Sequence, residues 1–252
     1  RRSSDLDNGI NLPIIGVLPK DEEANSDAND NDDSVDSNLR FRNSIESLLV
    51  NIKNIKVELN TPATTLLVTS PTAENGKSFV SRTIAKSLSK LGKKTILLDF
   101  DFKRGDQAKA FGSNKISKKE FTNINLNNIE NYKIDEFLYV IPKISKLSNS
   151  FQFIYTAEFL NVLDNLKNNF DYVIMDTAPL LSVSDTSTLL SMSDINLMIT
   201  RHSKSKLKEI RQAISISEQL GIEMGGLIYN FYERPENNYG YYGLYGDYKY
   251  EY

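Results

Sequence analysis

The segment from Thr65 to Ser78 constrains the fold of this chain more tightly than any other. It reads TLLVTSPTAENGKS, an apolar run that stops at Ser70 and Pro71 and leads into Gly76-Lys77-Ser78. A buried strand that turns into a helix at such a sequence can bind phosphate. Backbone N–H groups surround the phosphate, the lysine reaches its outer oxygens and the serine hydroxyl ligates Mg²⁺. Because Pro71 occupies the first glycine position of the GxxxxGK[ST] pattern, a strand–turn–helix without a ligand stays an alternative for this segment alone.

Two later apolar strands end in acidic residues. The predicted strand Thr95–Leu98 is followed by Asp99 and Asp101, and the predicted strand Tyr172–Met175 is followed by Asp176. Because the carboxyl ends of parallel strands meet at one edge of a sheet, we expect these carboxylates beside the phosphate loop. There they can supply oxygen ligands to a hard cation that bridges nucleotide phosphates. The alternative for each aspartate is a cap on the turn or helix that follows its strand.

These three motifs resemble those of a known family. TSPTAENGKS, ILLDFDFKRG and VIMDTAP are similar to the Walker A, Walker A′ and Walker B motifs of the bacterial tyrosine kinases. The resemblance implies an α/β fold, namely a P-loop NTPase-like, doubly wound and mainly parallel sheet with helices on both faces, and it implies ATP and Mg²⁺ as cofactors. The alternation of strands and helices along the chain predicts the same sheet. In that family such domains are the part of polysaccharide co-polymerases at the cytoplasmic face of the bacterial inner membrane, where they control capsule and exopolysaccharide export.

The resemblance also implies a role for individual residues. The catalytic residues would be Lys77, Asp99 and Asp101. The metal ligands would be Ser78, Asp99, Asp101 and Asp176. The nucleotide would be bound by the loop, the start of its helix and one distant residue, which are Ala73, Glu74, Asn75, Gly76, Lys77, Ser78, Phe79 and Asn230. Asn230 ends the predicted strand Gly226–Asn230 and would contact the adenine, although an asparagine in a strand-end turn is an equal alternative.

Composition divides the chain into three regions, which are residues 1–37, 38–230 and 231–252. The first contains the extended run LPIIGVLPK, which is similar to the segment after the last membrane helix in the family, and an acidic stretch that is typical of a flexible linker. The second is the predicted kinase domain, and it begins with an amphipathic helix over Leu39–Leu59. In the family this helix carries arginines for ring assembly at the positions where this chain has Leu49 and Ile52. Ring formation is therefore an open question for this chain.

The third region is a tyrosine-rich tail. Eight of the 13 tyrosines of the chain lie from Tyr232 onward, and the Gly, Asn and Asp residues between them disfavour a regular helix or strand. Phenolic hydroxyls are the acceptor groups of a tyrosine kinase, and each added phosphate would contribute roughly −1.5 to −2 charges. The expected phosphate acceptors are Tyr239, Tyr241, Tyr242, Tyr245, Tyr248, Tyr250 and Tyr252. The alternative is a low-complexity tail without this role.

Composition also narrows the range of partners. A net charge of −3 provides no basic footprint, so we expect no nucleic-acid partner. The absence of cysteine excludes disulfides and thiolate metal sites. No apolar run reaches the length of a membrane helix. The start at Arg1-Arg2 without methionine suggests a fragment whose upstream neighbour is a fused membrane activator segment, and a cloning boundary is an equal alternative. The expected partners are a neighbouring copy of the chain, that activator segment and a tyrosine phosphatase.

The function that these features indicate is that of an Mg-ATP-dependent protein tyrosine autokinase. It would phosphorylate the tail of a neighbouring copy and so regulate polysaccharide synthesis and export. One alternative is a related P-loop ATPase switch, which would carry a signature lysine where this chain has Pro71. The other is a catalytically degenerate member of the family that acts as a structural clamp on the export machinery.

Overall fold

The computed structural model describes residues 10–20, 35–59, 64–105 and 107–233. The seven predicted acceptor tyrosines, from Tyr239 to Tyr252, lie outside these residues, as does the acidic stretch 21–34.

Seven strands form one parallel sheet, in the order β1-β7-β6-β2-β5-β3-β4. The strands are β1 Ile14–Pro19, β2 Thr64–Thr69, β3 Thr95–Phe100, β4 Leu138–Ile141, β5 Tyr172–Thr177, β6 Ile195–Arg201 and β7 Gly226–Tyr232. The central strand β2 carries the phosphate loop at its carboxyl end, and its two neighbours are β5 and β6. The strand that ends in Asp176 is thus directly beside the loop, which confirms the doubly wound, parallel α/β fold that the sequence predicts.

Helices connect the strands and cover both faces of the sheet. They are α1 Val35–Leu59, α2 Lys77–Lys90, α3 Gln107–Ala110, α4 Lys118–Thr122, α5 Ser150–Ile154, α6 Ala157–Asn169, α7 Ser184–Leu190 and α8 Leu207–Gln219, with a 3₁₀ helix at Ile129–Tyr132. Because helices cover both faces of the sheet, the strands are buried on both sides and have continuous apolar sequences. In β2, Leu66 and Val68 pack into the core under α1 and α2, whereas Leu67 packs into the core on the opposite face.

The first region of the chain contributes a strand to this sheet. β1 pairs in parallel with β7, and the backbone N–H of Lys20 donates to the carbonyl of Tyr232 at 2.9 Å. Helix α1 lies over this edge with Leu48 buried and Val50 56% exposed, as its amphipathic pattern predicts. A Cβ atom on Gly16 would stand 3.0 Å from the Leu48 side chain, so the glycine permits the close approach of helix and strand. None of the helices within the described residues is long and apolar enough to cross a membrane.

The Asn- and Lys-rich stretch 113–149 forms more regular structure than its composition suggests. The apolar run at 137–142 predicts a strand, and β4 lies within it. Helix α4 begins with a capping box in which Ser117 and Glu120 exchange hydrogen bonds. Because β4 pairs with β3, the residues that follow β4 lie at the same sheet edge as those that follow β3. This placement brings a lysine into the candidate site.

Candidate nucleotide-binding site

The phosphate loop has the backbone geometry that a strand-to-helix turn around an anion requires. Gly76 precedes α2 in the left-handed region, with φ 85°, and Glu74 also has a positive φ of 62°. Gly76 provides no side-chain cap for the first turn of α2. The amino end of this 14-residue helix therefore presents backbone N–H groups and the positive end of its dipole to the loop. Lys77 follows as the first helical residue, and only 7% of it is exposed.

Side chains from β6, from the turn after β6 and from β7 form hydrogen bonds to the phosphate loop. Asn230 Nδ2 donates to the carbonyl of Asn75 at 3.0 Å, and Ser205 Oγ donates to Asn75 Oδ1 at 2.6 Å. Arg201 Nη1 donates to the carbonyl of Glu74 at 3.2 Å. The ammonium group of Lys204 forms an ion pair with the Glu74 carboxylate, and its hydrogen bond is the main reason why the pKa of Glu74 lies below its usual value. Together these contacts form a brace that ties the loop to β6, to the turn between β6 and α8, and to β7.

Asn230 therefore lies at the loop, as the sequence predicts, but its amide is engaged with protein atoms. Its Nδ2 atom is 2.3 Å from the position that a Cβ on Gly76 would occupy. Phe231 follows with φ 56°, and the Arg201 guanidinium stacks over its ring at 4.2 Å. A contact of Asn230 with adenine stays a prediction. Phe79, assigned to nucleotide binding as well, packs against Phe41 of α1, with 5.9 Å between ring centroids.

The acidic residues of β3 and β5 are brought together as expected. Asp99 and Asp176 are partners in the register of the two strands. Gln107 lies between them, because its backbone N–H donates to Asp99 Oδ2 at 3.0 Å and its Nε2 donates to Asp176 Oδ2 at 2.8 Å. Complete burial raises the pKa of Asp176 to about 6, while the Ser78 hydroxyl, the Gln107 amide and the Lys77 ammonium oppose this rise. Burial disfavours the ionised form of Asp176, and a cation bound nearby would stabilise that form.

Asp101 and Lys143 lie beside this pair. Asp101 Oδ1 accepts hydrogen bonds from the backbone N–H groups of Lys103, at 3.2 Å, and Arg104, at 2.8 Å, so this aspartate caps the turn after β3. Lys143 follows β4 and is 9% exposed. Its pKa is lowered mainly by burial, and to a lesser extent by Lys115, whereas the charges of Asp99 and Asp101 oppose the decrease. The acidic edge thus contains a buried lysine in addition to Lys77.

The residues at this edge fit a nucleotide-bound magnesium ion. Mg²⁺ in proteins is commonly held by one or two carboxylates together with substrate phosphates and water, so it does not need a cage of protein ligands. Asp176 Oδ1 is buried without a hydrogen-bond partner in the described part of the chain, and the Ser78 hydroxyl is close by. Within the described residues, no group of three or more carboxylate or histidine side chains converges on one point. Ser78 and Asp176 are therefore the best-supported ligands, and coordination by Asp99 or Asp101 stays a prediction.

Gln107 and Lys143 are residues of the site that sequence reasoning did not identify. Lys143 could have been found by the rule that found the aspartates, since it comes directly after the expected strand 137–142. Gln107 had no such signal, because it lies in a loop after β3 and its position depends on how that loop folds back over α2.

Comparisons with known proteins agree with this geometry. The chain matches the family model described as an AAA domain over residues 73–221, more than half of its 252 residues. It is 26% identical over 257 aligned residues to the tyrosine-protein kinase ptk of Acinetobacter johnsonii, an alignment that covers 94% of this chain and 34% of that protein. It is 30% identical over 185 residues to the tyrosine-protein kinase CpsD of Streptococcus agalactiae, which covers 72% of this chain and 81% of that protein.

The fold comparison points in the same direction. The kinase domain of the Escherichia coli tyrosine kinase ETK superposes with a TM-score of 0.78 at 20% identity, over 96% of this chain and all of that domain. At this identity the likeness shows a shared fold. The chain spans about a quarter to a third of the length of the first curated relatives that it matches.

Proposed function

The chain belongs to the bacterial tyrosine kinase family, and from this premise we propose that it is an Mg-ATP-dependent protein tyrosine kinase. The observation that carries the proposal is the arrangement of three groups at one sheet edge: the buried Lys77 at the amino end of α2, Ser78 beside it, and the buried Asp176 on the neighbouring strand. Binding of a nucleoside triphosphate with its cation requires a lysine, a hydroxyl and a carboxylate in this arrangement.

The proposed reaction is transfer of the γ-phosphoryl group of ATP to a tyrosine oxygen. A bond forms between the phenolic oxygen and the γ-phosphorus, the bond from that phosphorus to the β–γ bridging oxygen breaks, and ADP leaves. Lys77 and the N–H groups of the loop neutralise phosphate charge, and Mg²⁺ held by Ser78 and Asp176 would supply further positive charge. Catalysis of this kind depends on positioning and electrostatics.

The hydroxyl of the acceptor tyrosine requires a base to accept its proton. A tyrosine hydroxyl has a pKa near 10, so at neutral pH almost none of it is ionised. We propose that the carboxylate of Asp99 or Asp101 accepts this proton as the phenolic oxygen attacks. Both side chains are almost fully buried at the end of β3, next to Asp176.

We propose that the acceptors are the tail tyrosines of a neighbouring copy, from Tyr239 to Tyr252. The tail follows β7, whose residue Asn230 contacts the phosphate loop, so it leaves the domain at the edge that carries the site. Phosphorylation would make the tail strongly anionic and weaken any assembly held by it. By the family resemblance, this cycle would regulate polysaccharide synthesis and export at the cytoplasmic face of the bacterial inner membrane, together with a membrane activator segment and a tyrosine phosphatase.

Intact mass after incubation with Mg-ATP tests the proposal. The wild-type chain is expected to gain a ladder of phosphates, and Lys77→Met is expected to gain none. To test transfer between copies, the Lys77→Met chain, which retains its tail, is mixed with a chain whose seven acceptor tyrosines are replaced by phenylalanine. Phosphate on the Lys77→Met chain alone would support transfer in trans.

Each alternative function has its own outcome in the same experiment. Hydrolysis of ATP without any gain in mass would support the ATPase switch and reject the kinase. Neither hydrolysis nor gain in mass, with nucleotide binding intact, would support the structural clamp. The proline at the signature-lysine position, Pro71, is the feature that favours the kinase over the switch.

A further inference from the structure

Gln107 is a fully buried amide at the site that the proposed mechanism does not use. It begins the short helix α3, after the loop that follows β3, and it is fully buried, with 0% exposure. Burying an amide in a protein interior is unfavourable unless its donors and acceptors are paired. The partners of this amide therefore indicate what the residue does.

Gln107 makes hydrogen bonds to groups from all three motifs of the site. Its backbone N–H donates to Asp99 Oδ2 at 3.0 Å, and its Nε2 donates to the carbonyl of Ser78 at 2.9 Å and to Asp176 Oδ2 at 2.8 Å. The Ser78 carbonyl and the ionised Asp176 carboxylate are both acceptors. The side-chain NH₂ group must therefore face them, and this orientation directs Oε1 away from them.

Two buried oxygen atoms in this pair have no hydrogen-bond partner within the part of the chain that the structure describes. One is Gln107 Oε1 and the other is Asp176 Oδ1. An unpaired acceptor in a protein interior costs about 1–3 kcal/mol, so each of these two atoms calls for a group that offers a donor or positive charge. A hydrated divalent cation offers both, since its bound water molecules are strong hydrogen-bond donors.

We infer that Gln107 is a positioning residue for the nucleotide-bound cation. By occupying Oδ2 of Asp176, it would leave Oδ1 for the cation, and the amide would hold that carboxylate in one orientation. Its bond to the Ser78 carbonyl fixes the first turn of α2 relative to Asp176. The inference rests on the Mg-nucleotide part of the proposed function, and it is independent of whether the phosphoryl acceptor is tyrosine or water.

The test is the dependence of ADP affinity on magnesium, measured by calorimetry on the full chain in excess Mg²⁺ and again in EDTA. The ratio of the two dissociation constants reports how strongly the cation and the nucleotide are coupled. Because loss of an outer-shell partner commonly weakens metal binding by 10–100-fold, Gln107→Ala is expected to reduce this ratio by about tenfold or more. The affinity for ADP in EDTA is expected to change by less than about twofold, because Gln107 would not touch the nucleotide.

Two further variants keep the result interpretable. Gln107→Met keeps most of the volume of the side chain but has no amide, so it is expected to lose the coupling without leaving a cavity; it replaces Gln107→Ala if the alanine chain does not fold. Gln212→Ala is the matched control, because Gln212 lies on the exposed face of α8, and its ratio is expected to equal that of the wild type.

Three outcomes would overturn the inference. The first is a ratio of the two ADP dissociation constants in Gln107→Met that equals the ratio in the wild type. The second is an equal loss of affinity with and without magnesium, which would assign Gln107 a purely structural role. The third is a wild-type chain that binds ADP equally in Mg²⁺ and EDTA, and this outcome alone would also reject the magnesium dependence of the proposed function. A wild type with normal coupling but no phosphotyrosine would reject the kinase and leave the test of Gln107 valid.

Discussion

Replacement of Gly76 by alanine should destabilise the fold in two separable ways. The left-handed backbone at φ 85° costs a residue with a Cβ atom about 1–2 kcal/mol. In addition, the new Cβ would stand 2.3 Å from Asn230 Nδ2, so the Asn230 amide has to move and its bond to the Asn75 carbonyl is lost. Leaving these buried groups unpaired costs about 1–3 kcal/mol more. The expected loss is therefore about 2–5 kcal/mol in the free energy of unfolding.

Gly92→Ala is the matched control for this prediction. Gly92 also has a positive φ, 71°, but nothing lies within 4 Å of the position of its Cβ. It should show the backbone cost alone, about 1–2 kcal/mol. The smaller entropy of the unfolded chain on replacing glycine by alanine is the same in both variants and cancels in the comparison. Urea denaturation at one pH, without nucleotide, measures both values.

A double-mutant cycle with Asn230→Ala isolates the second effect. Without the Asn230 amide, the Cβ of residue 76 would keep one tight approach, 3.0 Å to Phe231 Cε2, so Gly76→Ala in this background should cost only slightly more than Gly92→Ala. The interaction energy between the two positions should be about 1–3 kcal/mol. The reasoning is refuted if Gly76→Ala is no more damaging than Gly92→Ala, or if the costs of Gly76→Ala and Asn230→Ala simply add.

Two other perturbations address the acidic edge. In the metal-free chain, burial holds the pKa of Asp176 at about 6, above its value near 3.9 in an unfolded chain. Between these pH values the unfolded chain has lost a proton that the folded chain retains, so folding stability falls as the pH rises, by on the order of 3 kcal/mol in total. Asp176→Asn should therefore be more stable than the wild type at pH 7 and no more stable near pH 4, in parallel urea titrations; a difference that does not change with pH would contradict this. A Cβ on Gly105 would stand 2.1 Å from Asp99 Oδ1, so Gly105→Ala should displace that carboxylate. The expected results are a loss of about 1–3 kcal/mol of stability through overpacking and the absence of the phosphate ladder in the mass assay. A normal ladder would exclude a catalytic role for the observed position of Asp99.

The parts of the site that the sequence predicts are those set by local pattern. An apolar run followed by a polar residue marks the end of a strand, and in a parallel sheet this suffices to place Lys77, Asp99 and Asp176 at one edge. The pairing of β1 with β7 could not be predicted in this way, because the two strands come from opposite ends of the chain. Nothing in the run LPIIGVLPK specifies a partner so distant in sequence.

Side-chain partners were harder to predict than strand positions. The contact of Asn230 with adenine stays a prediction. The sequence does not indicate that its amide donates to the loop backbone, a contact that forms because the loop brings a carbonyl within reach of the end of β7. Asp101 was expected to be a catalytic or metal-binding residue, and it caps the turn after β3 in addition to any such role. Both outcomes depend on loop conformations, which hydrophobic periodicity does not encode.

The brace on the phosphate loop has a consequence for the biosynthesis of this protein. The phosphate site contains the charged residues Lys77, Asp99, Asp101, Lys143 and Asp176, and all of them precede Leu180 in the chain. The hydrogen bonds that hold the loop come from β6–α8 and β7, which are translated later. Contacts between such distant segments form late in folding, because closing long loops is entropically unfavourable. A nascent chain would thus possess the residues for nucleotide binding before it could hold the loop in shape, so the synthesis of β7 decides when the site becomes competent.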